Sequence, residues 1–228
     1  MEKDTEKSHA KAQRRKGAPD EASLFAPLRL CLRYLFLQSR ANVRVLFPIA
    51  ILAVIAGCAK PEPLPKFWTI PDFKLTERSG KPFDSASLKG KVWVADFFFA
   101  SCPGVCPMLN ARMAAVHQQF IGEDGVRFVS ITTDPATDTP AALREYAMRF
   151  KADARWFFLT GDKPYIWNLC QNSFKLAVAE SPKSVEPITH SSRLVLVDKT
   201  GTVRGTYEGV GDDGPQKIVE DIRRLLAE

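Results

Sequence analysis

Eight residues decide most of what this chain can become. Val92 to Phe99 reads Val-Trp-Val-Ala-Asp-Phe-Phe-Phe, bulky and β-favouring, with Asp96 its only charged position. The run shows no alternation between a wet and a dry side, so a central strand covered on both faces is predicted over 91–99. Such a strand needs partners on either side and helices or loops above and below it. Downstream, Pro107 opens a helical pattern in which Leu109, Met113, Val116, His117 and Phe120 recur, up to Gly122. Val126–Thr132 is a second buried strand, and Thr139-Pro140 starts a helix bearing Leu143, Tyr146, Ala147 and Phe150. Trp156–Leu159 is a short strand, after which Thr160-Gly161-Asp162 leads into a helix through Phe174. Arg193–Val197 and Val203–Tyr207 flank a turn at Lys199-Thr200-Gly201, and a closing amphipathic helix carries Ile218, Val219, Ile222, Leu225 and Leu226. Upstream, Phe73-Lys74-Leu75 and Lys81-Pro82-Phe83 around Ser79-Gly80 predict a hairpin.

The resulting order, β–α–β–α–β–α–β–β–α, means parallel strands joined by crossover helices, then an antiparallel pair and a last helix. The fold class expected is therefore α/β: a thioredoxin-like fold, with a central mixed sheet flanked by helices and an N-terminal hairpin. It occupies residues 67–228.

Charge separates this domain from what precedes it. The chain carries +6, of which +5 falls in residues 1–57, so the rest is nearly neutral and lacks the basic face that a nucleic-acid partner requires. Residues 1–23 are polar and aperiodic, the composition of a disordered leader. The apolar stretch 45–58 holds about 13 residues, too short to span a bilayer but of signal-peptide length, with Arg40 and Arg44 as its positive flank. Its end, Val54-Ile55-Ala56-Gly57-Cys58, resembles the bacterial lipoprotein box, in which the Cys thiol is lipid-modified. An uncleaved signal anchor is the alternative. Residues 58–66, rich in proline, then form an extended tether. The 44 residues ahead of the apolar stretch are long for such a leader, and a non-Met start at Val43 or Val45 would account for them. Either way the domain is expected on the extracytoplasmic side of a membrane, in the cell envelope.

The chemistry concentrates in Phe99-Ala100-Ser101-Cys102-Pro103-Gly104-Val105-Cys106-Pro107. Two thiols stand four apart where a buried strand turns into a helix, the edge at which open α/β sheets place their sites. A helix N-terminus favours thiolate, the form that both attacks disulfides and binds metal. Three residues lie between the cysteines where a thioredoxin-type redox loop has two, and Pro103 and Pro107 stiffen the loop. Two soft sulfurs in one rigid loop suit a soft ion such as Cu(I). A third ligand must come from elsewhere. His9 lies in the leader, and His117 sits eleven residues past Cys106 on the helix, about 16 Å along the axis, which marks it as a packing or surface residue. His190, in the loop entering the strand Arg193–Val197, faces the cysteine loop in a thioredoxin-like sheet. Imidazole with two thiolates would hold Cu(I), or Cu(II) with one more oxygen or nitrogen. Without the histidine, Cys102 and Cys106 remain a candidate redox pair. Asp134 and Asp138 read as turn and capping residues, with a minor role near the metal or the partner surface as the alternative, and Cys170 reads as a core thiol.

These segments stand together in a known order. Cys102-Pro103-Gly104-Val105-Cys106-Pro107, then Asp134-Pro135-Ala136-Thr137-Asp138-Thr139-Pro140, Trp156 to Gly161, His190-Ser191-Ser192 and Val197-Asp198-Lys199-Thr200-Gly201 resemble the Sco/SenC family over roughly residues 67–227. The resemblance implies a thioredoxin-like copper protein that delivers copper to, or prepares, the binuclear copper centre of cytochrome c oxidase. It implies Cys102, Cys106 and His190 as ligands, and the copper-bearing oxidase subunit or another copper chaperone as partner. A metallochaperone in this sense is not primarily an enzyme. The alternative is a membrane-tethered thiol–disulfide oxidoreductase that reduces partner cysteines through Cys102 and Cys106. The family often has an acidic residue where this chain has Gly104, so one charge beside the sulfurs is missing.

Overall fold

The computed structural model describes residues 62–181, 188–211 and 215–228. The leader, the apolar stretch 45–58, Cys58 and the alternative starts at Val43 and Val45 lie outside the described residues.

Strand β3 (Val92–Phe98) is buried at every position, as its composition demands. It runs parallel to β4 (Val126–Thr132), with Val92 opposite Val126 and Phe98 opposite Thr132, and antiparallel to β8 (Arg193–Val197). Strand β5 (Trp156–Thr160) lies parallel to β4 on its far side. The hairpin of β1 (Lys74–Glu77) and β2 (Pro82–Asp84) extends the sheet beyond β5, and β9 (Val203–Glu208) extends it beyond β8. Gly80 closes the hairpin at a φ of 82°, where a Cβ would be strained. The sheet order is β2-β1-β5-β4-β3-β8-β9, a mixed sheet of the thioredoxin-like α/β class.

Helices α1 (Val105–Gln118) and α2 (Pro140–Arg149) cover one face. Tyr146 of α2 stacks on Phe98 at 5.1 Å, and His117 of α1 packs edge-on to Phe128. His117 is thus a core residue, and its Nε2 lies 3.0 Å from Asp153 Oδ1, an ion-pair distance off the direct line of a hydrogen bond. Thr139 caps α2 by accepting from Ala142 N, and Pro140 needs no donor at the first helical position.

The helix expected through Phe174 runs to it but changes pitch on the way. Helix α3 (Lys163–Asn168) gives way to a π-turn at Leu169–Ser173, in which Phe174 N donates to Leu169 O at 3.0 Å. The wider turn aims Phe174 at Phe73, Trp93 and Phe97 on the second face of the sheet. Two short strands, β6 (Val178–Glu180) and β7 (Ile188–His190), then pair outside the main sheet. Three residues each is too short for a legible alternation, so the sequence showed only a loop there. Helix α4 (Gln216–Ala227) lies beside α1, with Arg223 over the Phe120 ring at 5.9 Å.

Of the expected tether over 58–66, residues 58–61 lie outside the described residues. From Glu62 onward the backbone is tied down. Phe67 N donates to Val203 O and Val203 N to Trp68 O, while Trp68 Nε1 reaches Ser173 O at 2.7 Å. The buried guanidinium of Arg204 uses all five of its N–H groups: on Leu64 O, Pro65 O, Asp198 Oδ2 and both side-chain oxygens of Glu228. Arg224 holds Glu62 O. Proline-rich sequence favours extension but does not prevent docking where an arginine meets bare carbonyls.

Two predictions follow from this core. Arg204→Met, which keeps length but removes every donor, is expected to destabilise the domain by about 3 kcal/mol in urea unfolding and to open residues 62–68 to limited proteolysis. Unchanged stability and protease resistance would show the strap to be held by other contacts. The second concerns Asp96, fully buried in β3. Its Oδ1 accepts from Ser130 Oγ, itself an acceptor for Trp156 Nε1, while Oδ2 has no partner among the described residues. Burial pushes its carboxyl up to about 7. The unfolded chain releases this proton near its ordinary value of 3.8, so the folded state holds a proton that the unfolded state has lost. Stability is therefore expected to fall by up to about 4 kcal/mol as pH rises from about 4 to 7, and Asp96→Asn to flatten that slope. Parallel pH profiles for the two proteins would exclude Asp96 as its source.

Candidate metal centre

Strand β3 delivers its chain to the sheet edge at Phe98, and α1 begins at Val105; the cysteine loop is the connection. Cys102 N donates to Phe99 O at 3.2 Å, a tight turn that folds the loop back over the strand end. The helix starts two residues before Pro107. The proline is tolerated there because the first-turn N–H groups have no intrahelical acceptor. Cys106 thus lies inside the first turn, fully buried, with Cys102 nearly so; both are thiols.

His190 is not in a loop, as the sequence implied, but at the end of β7, opposite Val178. Its ring stands edge-on to Phe99, with centroids 5.7 Å apart. Nδ1 is 3.0 Å from Ser191 O, and since a carbonyl only accepts, Nδ1 carries the proton. Nε2 therefore presents a lone pair, and it lies 2.9 Å from Cys106 Sγ. Residues 84 apart in sequence are brought into direct contact.

Three groups that the sequence did not assign hold this arrangement. Asp138, read as a capping residue, is buried and caps nothing; Thr139 does that. Its Oδ2 instead accepts from Ala100 N at 3.0 Å and Thr132 Oγ1 at 2.5 Å, pinning the cysteine loop to the end of β4. Asp134 does serve the turn, its carbonyl accepting from Thr137 N and Asp138 N. Asn110, buried one helical turn past Cys106, donates to Cys106 O and to Tyr146 Oη. Gly209 completes the frame. Its N–H donates to Ser192 O at 2.8 Å, and a Cβ there would come within 2.0 Å of Leu109 Cδ1. Only a glycine lets the chain after β9 approach α1 and the residues behind His190 so closely. A polar residue at an otherwise apolar helix position was the one signal for Asn110; nothing local marked Gly209.

Electrostatically the site reverses one expectation. The helix N-terminus was expected to favour thiolate, yet burial, followed by the hydrogen bond with Cys102, pushes the Cys106 thiol well above its ordinary value. Desolvation outweighs the helix end because Cys106 is sealed from water. Burial likewise raises the Asp138 carboxyl, opposed by its hydrogen bonds from Thr132 and Ala100. Cys170 is a core thiol, as expected, pushed by burial up to about 12, and its Sγ faces Leu176 O at 3.6 Å.

Two sulfurs and an imidazole lone pair form a soft donor set. Among the described residues, no three His, Cys, Asp or Glu side chains already stand at metal-binding spacing. Cys106 Sγ and His190 Nε2 do stand together, at 2.9 Å. Thiolate and imidazole ligands sit roughly 2.3 and 2.0 Å from a first-row ion, which needs them about 3.5 Å apart. An ion can enter between Sγ and Nε2 once the Cys106 proton leaves and the pair parts by about 0.6 Å. Cys106 and His190 therefore fit a soft ion after a small opening, with Cys102 on the same loop as the further sulfur.

Comparison with known proteins identifies the family. A family model described as SCO1/SenC matches residues 62–227. A SCO1/SenC family lipoprotein from Bacillus anthracis is 35% identical with a TM-score of 0.66, over 71% of this chain and 96% of its own. BsSco, a member of the Sco family of cytochrome c oxidase assembly proteins in which a disulfide switch was identified, is 30% identical with a TM-score of 0.64, over 72% and 98%. Bradyrhizobium japonicum ScoI with copper bound is 27% identical with a TM-score of 0.60, over 69% and 99%. With a match over most of its length and the cysteine loop at the edge of a thioredoxin-like sheet, the chain belongs to the SCO1/SenC family.

Proposed function

We propose that this protein binds one copper ion through Cys102 Sγ, Cys106 Sγ and His190 Nε2, and hands it on during assembly of the binuclear copper centre of cytochrome c oxidase. The observation that carries this is the Cys106–His190 contact, with the Nε2 lone pair turned to the sulfur. A buried, protonated thiol is a poor nucleophile for disulfide exchange but is readily deprotonated by an entering ion, since metal binding drives thiol ionisation. Two thiolates and one imidazole suit Cu(I) at three-coordination, and Cu(II) with a further oxygen or nitrogen. Support comes from the relatives, one of which is a copper-bound ScoI and one a cytochrome c oxidase assembly protein. Release to a partner proceeds by ligand exchange, and the partner fitting this chemistry is a copper-bearing oxidase subunit or another copper chaperone.

The domain works from the extracytoplasmic side of a membrane, held through lipidated Cys58 or an uncleaved N-terminal segment. A lipoprotein among the relatives supports this. Among the described residues no helix is long and apolar enough to cross a bilayer.

A second use of the same sulfurs is favoured by two buried thiols carried on one short loop at the strand end. A dithiol that only exchanges disulfides needs no histidine. Anaerobic titration with Cu(I) against a chelator, beside His190→Ala, separates the two. One copper per chain is expected, with affinity falling more than about 100-fold in the variant while both thiols still react with an alkylating probe. Copper binding indifferent to His190 would remove the three-ligand site and leave dithiol exchange as the function.

A further inference from the structure

The two ends of the sheet differ in what they expose. The cysteine loop, Asp138 and His190 gather where β3, β4 and β5 finish. At the other end, about 20 Å down strand β3, the chain enters the domain at Glu62. Phe67 marks that level, because its N–H donates to Val203 O, Val203 pairs with Val197, and Val197 with Trp93 near the start of β3. Helices α1 and α2 also run down to this end, finishing at Gln118 and Arg149.

Of the five large apolar side chains that stand exposed among the described residues, three are here: Phe67 at 57%, Ile121 just past α1 at 61%, and Met148 in the last turn of α2 at 67%. Exposed basic residues accompany them: Lys66 beside Phe67, Lys151 three past Met148, and Arg223 above Phe120. None of these three has an ion pair among those recorded for the described residues. The opposing charges at this end are Glu62, Glu123, Asp124 and Glu228: the Glu123 carboxylate is turned back to accept from Gly125 N, and that of Glu228 is held by Arg204 and lies within electrostatic reach of Lys66. An apolar, partly aromatic rim with basic residues between is the composition that lies at a bilayer interface.

We infer that this entry end of the domain rests on an anionic membrane surface, with Phe67, Ile121 and Met148 dipped into the headgroup layer and Lys66, Lys151 and Arg223 paired with lipid phosphates. The exposed basic residues argue for the lipid, and so, resting on the N-terminal anchoring proposed above, does continuity: the Arg204 strap makes the chain arrive at this end. The consequence is orientation. The metal centre faces away from the bilayer, and its partner must present its own site a domain's height above the lipid.

The test uses the full chain, metal-free, so that its failure leaves the copper proposal standing. Amide hydrogen exchange is followed in detergent, in phosphatidylcholine vesicles and in an equal mixture with phosphatidylglycerol. Peptides covering 62–70, 119–125 and 147–152 are expected to slow by roughly tenfold in the anionic vesicles, with 100–107 unaffected. Lys66→Glu with Lys151→Glu should abolish the slowing, as should Phe67→Ser with Met148→Ser, while copper titration stays normal. No slowing in anionic vesicles, or slowing at 100–107 instead, overturns the inference. Slowing already present in detergent overturns it too: if it grows with protein concentration a second copy covers this face, and if not, residues 1–61 do.

Discussion

Phe98 and Thr132 are the last rung of two parallel strands, and the candidate centre depends on that pairing. Parallel strands release their chains at the same edge, so the cysteine loop leaving β3 and the Asp134–Thr139 loop leaving β4 emerge side by side. Asp138 can then reach back to Ala100 N and Thr132 Oγ1 at once, closing the space between two loops that are 38 residues apart. Without that carboxylate the Ala100 amide would be a donor with no acceptor, and the loop holding Cys102 would lose its fixed start. The seven paired positions between β3 and β4 are what make the reach short enough.

From this edge the chemistry follows by burial. A thiolate in water is a ready nucleophile, and a helix N-terminus would make the thiolate form more abundant. Here the first turn of α1 is covered by Phe99, by the β6–β7 pair and by the chain after β9, so the Cys106 thiol keeps its proton. The same cover holds His190 with its Nδ1 proton committed to Ser191 O. The arrangement is quiet until something displaces the proton between sulfur and nitrogen, and a soft cation does that without needing a strong nucleophile.

The two ends of the molecule divide the work. Arg204 collects five acceptors at the end where the chain arrives and so converts a proline-rich approach into part of the fold. A buried guanidinium with every donor satisfied is costly to disturb, so the direction in which the chain enters is set by the same core that sets the site.

The sequence by itself determined the architecture and the list of candidate donors. An eight-residue, β-favouring run whose only charge is Asp96 suits a strand covered on both faces, and the spacing of punctuation around it gives the order of strands and helices. Cys102 and Cys106 were legible because their chemistry is local: two sulfurs, two prolines and a strand–helix junction within a few residues. His190 was found by elimination, since only three histidines exist. Only the tertiary structure decided the rest, because the rest is made by contacts between distant residues. Nothing near Asp138 says that it holds Ala100 rather than a helix end, nothing near Gly209 says that Leu109 lies where a Cβ would be, and no tripeptide reads as a strand until its partner is beside it. The protonation state of Cys106 was decided last of all. Sequence places it at a helix N-terminus, which favours charge, but burial disfavours charge more strongly, and burial is a property of the whole fold.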